Sequence, residues 1–374
     1  MENPFKPFQP LTEPDLPWYR GRDAEVDQLY ELVTGTNVTL VFGEPGVGKT
    51  SLVHCGLARK FDASDWLGIW VRRGGHLVRS LKAELVNKLC DSTRKELEKT
   101  DGTLPVTDLL KKVYLDHFKT LYLIFDAFEE LYASGSPEER AEFYGTLACL
   151  IEQKSNCRII FIIREDYHGK LEELVKTLPQ LFSKGLKVDP MPAADAEAEV
   201  IRSYLGHPAV VVHPSVEAVS GKIRAACTGE DGQTVSLAYL QVFLHTLWEK
   251  AEQQDGRALI HPAAVDNVAE YGNIIGYYLA EAVRSIDTED RKDEIAIWAF
   301  LQDLVDQDGE RKIMPLAHYT AAGFQRAPEW AEELVRQKIL KYTGPGEVEL
   351  THDCLVPVIR ARRTNTARPR LATP

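Results

Sequence analysis

Gly43-Glu44-Pro45-Gly46-Val47-Gly48-Lys49-Thr50 fits the pattern GxxxxGK[ST] at every constrained position. Each residue type answers a need of polyphosphate chemistry. The glycines let backbone N–H groups turn inward and come close to phosphate oxygens. A helix opening at Lys49, Thr50 and Ser51 aims its N-terminal dipole at the same charge. Lys49 is expected to reach the β- and γ-phosphates, and Thr50 to place its hydroxyl on Mg2+. The ligand this unit implies is ATP or ADP with Mg2+, cradled from Gly43 to Ser51, with Glu44, Pro45 and Val47 lining the loop by position.

Such a loop needs a second acid for the metal, at the end of a buried strand. Leu121-Tyr122-Leu123-Ile124-Phe125 is an apolar run that ends in Asp126. Glu129 and Glu130 follow, and either could orient an attacking water, with Glu129 favoured by its offset from Asp126. The run Arg158 to Ile163 ends in Arg164. This arginine could sense a γ-phosphate at the carboxyl end of the sheet, or pair structurally with Glu165 or Asp166. Arg72 and Arg73 end another strand and fit either the same crevice or the surface.

These groups need a sheet to hold them. Val38 to Phe42 is apolar and β-branched, as in a strand buried on both faces. Further strands are expected near 67–72, 120–125, 158–163 and 185–188. Helical stretches near 49–60, 76–90, 107–118, 137–154 and 167–178 separate them. That alternation specifies an α/β fold with a doubly wound, mainly parallel five-stranded sheet. Before it, residues 1–22 form an extended arm, because five prolines in the first twenty residues forbid a regular helix. The rings of the arm are expected to pack on the sheet domain, which spans 23–190. From Pro190 the strand signal disappears, and 191–288 reads as a helical bundle whose clearest amphipathic helix is 236–251. Residues 289–363 carry a helix with Ile295, Ile297, Trp298, Phe300 and Leu301, read as buried nearly all round. A second helix near 328–338 and a hairpin over 339–351 follow, a winged-helix-like order. Residues 364–374 read as a basic disordered tail.

Composition narrows the function. Lys plus Arg number 44 against 56 Asp plus Glu, a formal charge of −12, so a nucleic-acid coat is unlike this chain. No run is long enough to cross a bilayer and no signal-peptide pattern opens the chain, so a cytoplasmic protein without membrane partners is expected. Six scattered cysteines without a CxxC pair point to buried free thiols rather than disulfides or zinc.

From Asn3 to Arg363 the chain resembles the STAND NTPases (signal-transduction ATPases with numerous domains), and among them the bacterial novel STAND group. The resemblance lies in NPFKPFQPLTEPDLPWYRGRDAEVDQL, LYLIFDAFEELY, FIIREDYHG, SLAYLQVFLHTLWEKA and VELTHDCLVPVIRARR, in that order. It implies a P-loop NTPase followed by a helical lid and a winged helix, with Tyr19, Gly21 and Arg22 beside the base and ribose. Arg22-Asp23 stands where the family has Arg-Glu, and Ser236-Leu237 where the lid helix usually begins with proline. From the residues alone His352 is a cap or packing residue; the resemblance implies that it reads the β-phosphate of ADP and holds a closed state. ATP would then open the chain for self-association, with slow hydrolysis as a timer, in bacterial defence or conflict signalling. Effector and sensor modules, usually fused to this core, are expected to be separately encoded or to lie outside an excised core. The alternatives are an AAA+-like ATPase whose winged helix binds DNA, which needs a basic recognition helix, and a small-molecule phosphotransferase, which needs a substrate lid.

Overall fold

The computed structural model describes residues 2–99, 104–152, 157–178, 181, 184–229, 231–286, 291–321, 324–344 and 346–363. The expected basic tail and Pro345 of the hairpin turn lie outside them. The chain forms two compact bodies. One, the sheet body, is drawn from Arg22–Glu44 and Lys49–Asp189; the other, the helical body, from residues up to Gly21, from Pro45–Gly48 and from Pro190 onward.

In the sheet body five strands form one parallel sheet: β1 (Val38–Gly43), β2 (Leu67–Val71), β3 (Leu121–Phe125), β4 (Cys157–Arg164) and β5 (Gly185–Lys187). Their order is β2-β3-β4-β1-β5. β3 is buried at all five positions, as its unbroken apolar run requires. Helices Leu77–Lys88, Val106–His117 and Pro137–Glu152 carry the crossovers near their expected spans, while Asp91–Lys99 is an additional helix. After Lys49–Ser51 the chain continues helically to Lys60, with wider turns over Leu52–Leu57. Phe125, Phe128, Phe143 and Phe161 meet in one aromatic cluster under the sheet.

The helical body departs from expectation in its strands, in its arm and at Ile295. First, strands do occur after Pro190. Val210–Val212 runs parallel to Arg257–Ile260, which pairs antiparallel with Glu252–Gln254. The two-residue turn Asp255-Gly256 has positive φ at both positions (53° and 72°), the conformation that Asp-Gly hairpin turns adopt. Second, rings of the arm, expected on the sheet domain, pack within the helical body. Phe5 stacks edge-on against Tyr204 and Phe8 against Tyr278, and Asn3 bonds His245 O and Glu249. The arm contains one short 3-10 stretch, Glu13–Trp18.

Helix Leu237–Lys250 matches the amphipathic segment, capped by Ser236, whose hydroxyl accepts from Tyr239 N. Helix Arg291–Asp303 buries Ile297, Trp298, Phe300 and Leu301 but leaves Ile295 exposed. A 100° step per residue sets Ile295 opposite the mean direction of the others. Helix Ala327–Arg336 leads into Leu340–Gly344 and Glu347–Leu350, which pair antiparallel, and Met314–Pro315 adds a third strand. Helix Leu355–Arg363 follows.

Among the described residues no helix is long and apolar enough to cross a membrane. The cysteines carry no disulfide, but only Cys55, Cys157 and Cys227 are buried; Cys90 and Cys149 are exposed, against expectation.

Candidate nucleotide site

The loop follows β1 directly. Gly46 and Gly48 have φ of 82° and 94°, which an L side chain adopts only with strain, so the motif glycines are required where they stand. In the sheet body Lys49 Nζ donates to Gly43 O at 2.9 Å and to Glu44 O at 2.7 Å. The ammonium therefore spans the mouth of the loop. Thr50 Oγ1 donates to Asp126 Oδ1 at 2.8 Å, and Asp126 is buried. A hydroxyl and a carboxylate side by side are hard oxygen donors of the kind Mg2+ selects, so these residues fit that ion.

Glu129 reaches the site through a sharp turn. Ala127 has φ of 54°, an uncommon conformation for alanine, and Phe128 N donates to Ile162 O of β4. That reversal lays buried Glu129 across the end of β4, where its Oε2 accepts from Arg164 N at 3.2 Å. Arg164 pairs with Gly43 in the β1–β4 register, so it lies beside the start of the loop. Its guanidinium is bidentate on Asp166, with Nε 3.0 Å from Oδ1. Glu130 begins the next short helix. Arg22, also in the sheet body, is buried, with Nη2 2.8 Å from Asp189 O and Nη1 on Glu25.

Arg72 is exposed, yet its guanidinium reaches into the site. Its Nε donates to Asp126 Oδ2 at 2.9 Å, so Asp126 is held on one oxygen by Thr50 and on the other by Arg72. The cause is register. Val71 pairs with Phe125 across parallel strands, which sets the next residues, Arg72 and Asp126, side by side. His54 was not anticipated. Its ring stacks flat on Trp70 at 3.4 Å, and burial, aided by Arg72 and opposed by Asp126, pushes its pKa down to about 4. The ring is therefore neutral at pH 7 and adds no charge beside Asp126.

In the helical body, a Cβ built on Gly46 would lie 3.2 Å from Ala238 Cβ, 3.5 Å from His352 Cε1 and 3.8 Å from Ser236 Oγ. One on Gly48 would lie 3.5 Å from Leu237 Cδ1. The first turn of helix Leu237–Lys250 thus touches the loop tip through Leu237 and Ala238, without the proline usual there. Tyr19 is buried, and Gly21, at φ of 79°, packs closely on Met191, Glu199 and Val200.

A parallel sheet of this order, a glycine loop leaving the interior strand β1, and an acid at the end of β3 define a P-loop NTPase. A sequence model of the Novel STAND NTPase 1 family matches residues 4–358, and the chain belongs to that family. None of the curated proteins matches it in sequence. Among solved structures, the ORC2 protein of Aeropyrum pernix, in ADPNP–ADP complexes, aligns over 97% of this chain and 98% of its own, with a TM-score of 0.51 and 16% identity. At that identity the likeness is one of fold. A Walker-type ATPase of Pyrococcus abyssi is similar at a TM-score of 0.46 and 16% identity, over 94% of this chain and 98% of its own. The Aeropyrum pernix ORC1 protein in complex with DNA is similar at 0.48 and 18%, over 93% of both chains.

Proposed function

We propose that this chain is an ATP/ADP-dependent switch of the STAND type, closed with ADP and released to self-associate when ATP replaces it. The observation that carries this reading is the approach of His352 to the loop tip, with Cε1 3.5 Å from a Cβ position on Gly46. His352 Nδ1 accepts from Cys354 N at 3.2 Å. While that bond is made the neutral ring carries its proton on Nε2, so the ring that approaches Gly46 carries a hydrogen-bond donor. A ligand shifts a conformational equilibrium only through contacts that differ between states, and a donor that reaches one phosphate arrangement supplies such a difference.

In this reading backbone amides from Gly43 to Ser51 and the Lys49 ammonium bind the polyphosphate. Tyr19, Gly21 and Arg22 lie toward the base. Thr50 and Asp126 would hold Mg2+, which when bound neutralises charge on the phosphates. Glu129, fixed at one oxygen by Arg164 N, orients the attacking water with its other oxygen, and Glu130 is the competing candidate. Arg164 would exchange Asp166 for the γ-phosphate. Hydrolysis is slow and returns the chain to its ADP state. The segment 289–363 is taken as a winged helix. Its helix Ala327–Arg336 presents Glu329 and Glu332 and ties Arg336 to Glu333, which weighs against a duplex-gripping role. The setting proposed is bacterial defence or conflict signalling.

The test is solution size with ADP, with ATP and Mg2+, and with a non-hydrolysable analogue. Larger assemblies specific to the triphosphates are expected. His352→Ala is expected to speed ADP release by about tenfold, the value of one hydrogen bond to a charged group, and to promote assembly without ATP. If ADP still binds and neither quantity moves, His352 is not the switch.

A further inference from the structure

His352 lies on a short connection between strand Glu347–Leu350 and helix Leu355–Arg363. A connection of that length has backbone freedom, so something must fix where the imidazole stands. One guanidinium grips it on both sides. Arg311 Nη1 donates to Leu350 O at 3.0 Å, two residues before His352, and Arg311 Nε donates to Asp353 Oδ1 at 2.6 Å, one residue after it. The Arg311 side chain is nine-tenths buried.

The grip is itself anchored. Arg311 Nη1 lies 3.3 Å from Glu349 Oε1, and Glu349, only 3% exposed, takes Lys341 Nζ on its other oxygen at 2.8 Å. Thr351 fastens the strand end from a different side, with N on Ile339 O and Oγ1 on Lys338 O. The network therefore brackets the strand-to-helix turn that carries the imidazole, whose ring lies 6.1 Å from that of Phe8.

We propose that Arg311 is the positioning residue for His352: its planar fork clamps Leu350 and Asp353 and so sets where the Nε2 donor points. This rests on the switch reading above for its consequence in nucleotide exchange, but not for the clamp itself. A buried ion-pair network makes a modest contribution to net stability, because desolvation offsets most of the Coulomb gain. Its use here is placement. Lysine is a poor substitute, since all its N–H groups sit on one nitrogen and cannot reproduce the fixed spacing of Nε and Nη1 that reaches Asp353 and Leu350.

The experiment pairs Arg311→Lys and Arg311→Met with His352→Ala in the full chain. The first readout is the ring 15N resonances of His352, assigned by their loss in His352→Ala. Wild type is expected to show one Nε2–H tautomer. Both Arg311 variants are expected to move toward the tautomer mixture of a mobile imidazole, with Arg311→Lys retaining the wild-type circular dichroism. The second readout is release of a fluorescent ADP analogue. Arg311→Met should speed it about as much as His352→Ala, and the double variant no further, because both changes remove one interaction. Wild-type ring resonances in both Arg311 variants overturn the clamp, as does a double variant whose release rate multiplies the two single effects. If His352→Ala alone leaves release unchanged, the switch reading fails while the ring resonances still decide the clamp.

Discussion

Lys49→Ala is expected to lower affinity for ATP with Mg2+ by at least about 100-fold, read by calorimetry at fixed salt. The ammonium of this lysine is bonded to the loop's own flanking carbonyls, at 2.9 Å on Gly43 and 2.7 Å on Glu44. A bound polyphosphate offers that ammonium far better partners than two carbonyls, and alanine offers none. Charge-assisted hydrogen bonds at about 1.5–3 kcal/mol each give the expected loss once two are removed. The fold should survive, because the lysine takes no part in the sheet register. Circular dichroism therefore separates a binding defect from unfolding. Undiminished binding by a folded variant would mean that the loop does not hold the phosphates, and the switch reading would go with it.

Local features were legible in the sequence because their chemistry is contiguous. The loop is eight successive residues, and Asp126 ends an apolar run that reads as a buried strand. Four strands of the sheet lie near their expected spans because each is long enough to show as an apolar or β-branched run; β5, Gly185–Lys187, also lies near its expected span but is only three residues long. What escaped depends on pairing across the chain. Arg72 was visible at a strand end, yet its bond to Asp126 is fixed by which residue of β2 stands beside which of β3. Nothing in either segment states that register. The three-stranded sheet around Val210–Val212 escaped because a three-residue strand has no periodicity, although the Asp255-Gly256 turn was a usable hairpin signal. The docking of Phe5 and Phe8 on Tyr204 and Tyr278 joins residues some 200 positions and more apart. Arg311 carried no signal at all: an arginine beside Glu310 in a polar stretch acquires its role only from Leu350 and Asp353 folding back onto it.

Arg73 is the second arginine at the end of β2, and its environment leads to the largest expected stability effect. Sequence left it between crevice and surface; the structure buries it, at 8% exposure, against Glu139, at 4%. Arg73 Nε and Nη2 donate to the Glu139 carboxylate at 3.0 and 2.8 Å, and Leu77 N donates to Glu139 Oε1 at 2.8 Å. Burial alone would raise the pKa of Glu139, but the Arg73 and Leu77 hydrogen bonds outweigh it and hold the carboxyl below its ordinary value. A lowered folded pKa means stability that is fully present at neutral pH and is lost as pH falls from the ordinary carboxylate value of about 4.3 through the folded one. Glu139→Ala leaves a buried guanidinium uncompensated, and urea unfolding at pH 7 should show a loss of about 3–5 kcal/mol. The gap to wild type should narrow below about pH 4, where wild type loses the same interaction. Replacing both partners with apolar residues, Arg73→Met with Glu139→Leu, should recover most of the loss, because removing both charges avoids the unpaired one. The consequence reaches the site as well. Arg72 precedes Arg73 in the chain, so a loosened Arg73 frees the backbone that sets Arg72 on Asp126. Glu139→Ala should therefore weaken the dependence of nucleotide binding on Mg2+ even under conditions where the variant is fully folded. A double variant that restores stability but not that dependence would show that the guanidinium's direction, and not the packing it contributes, holds the strand end in place.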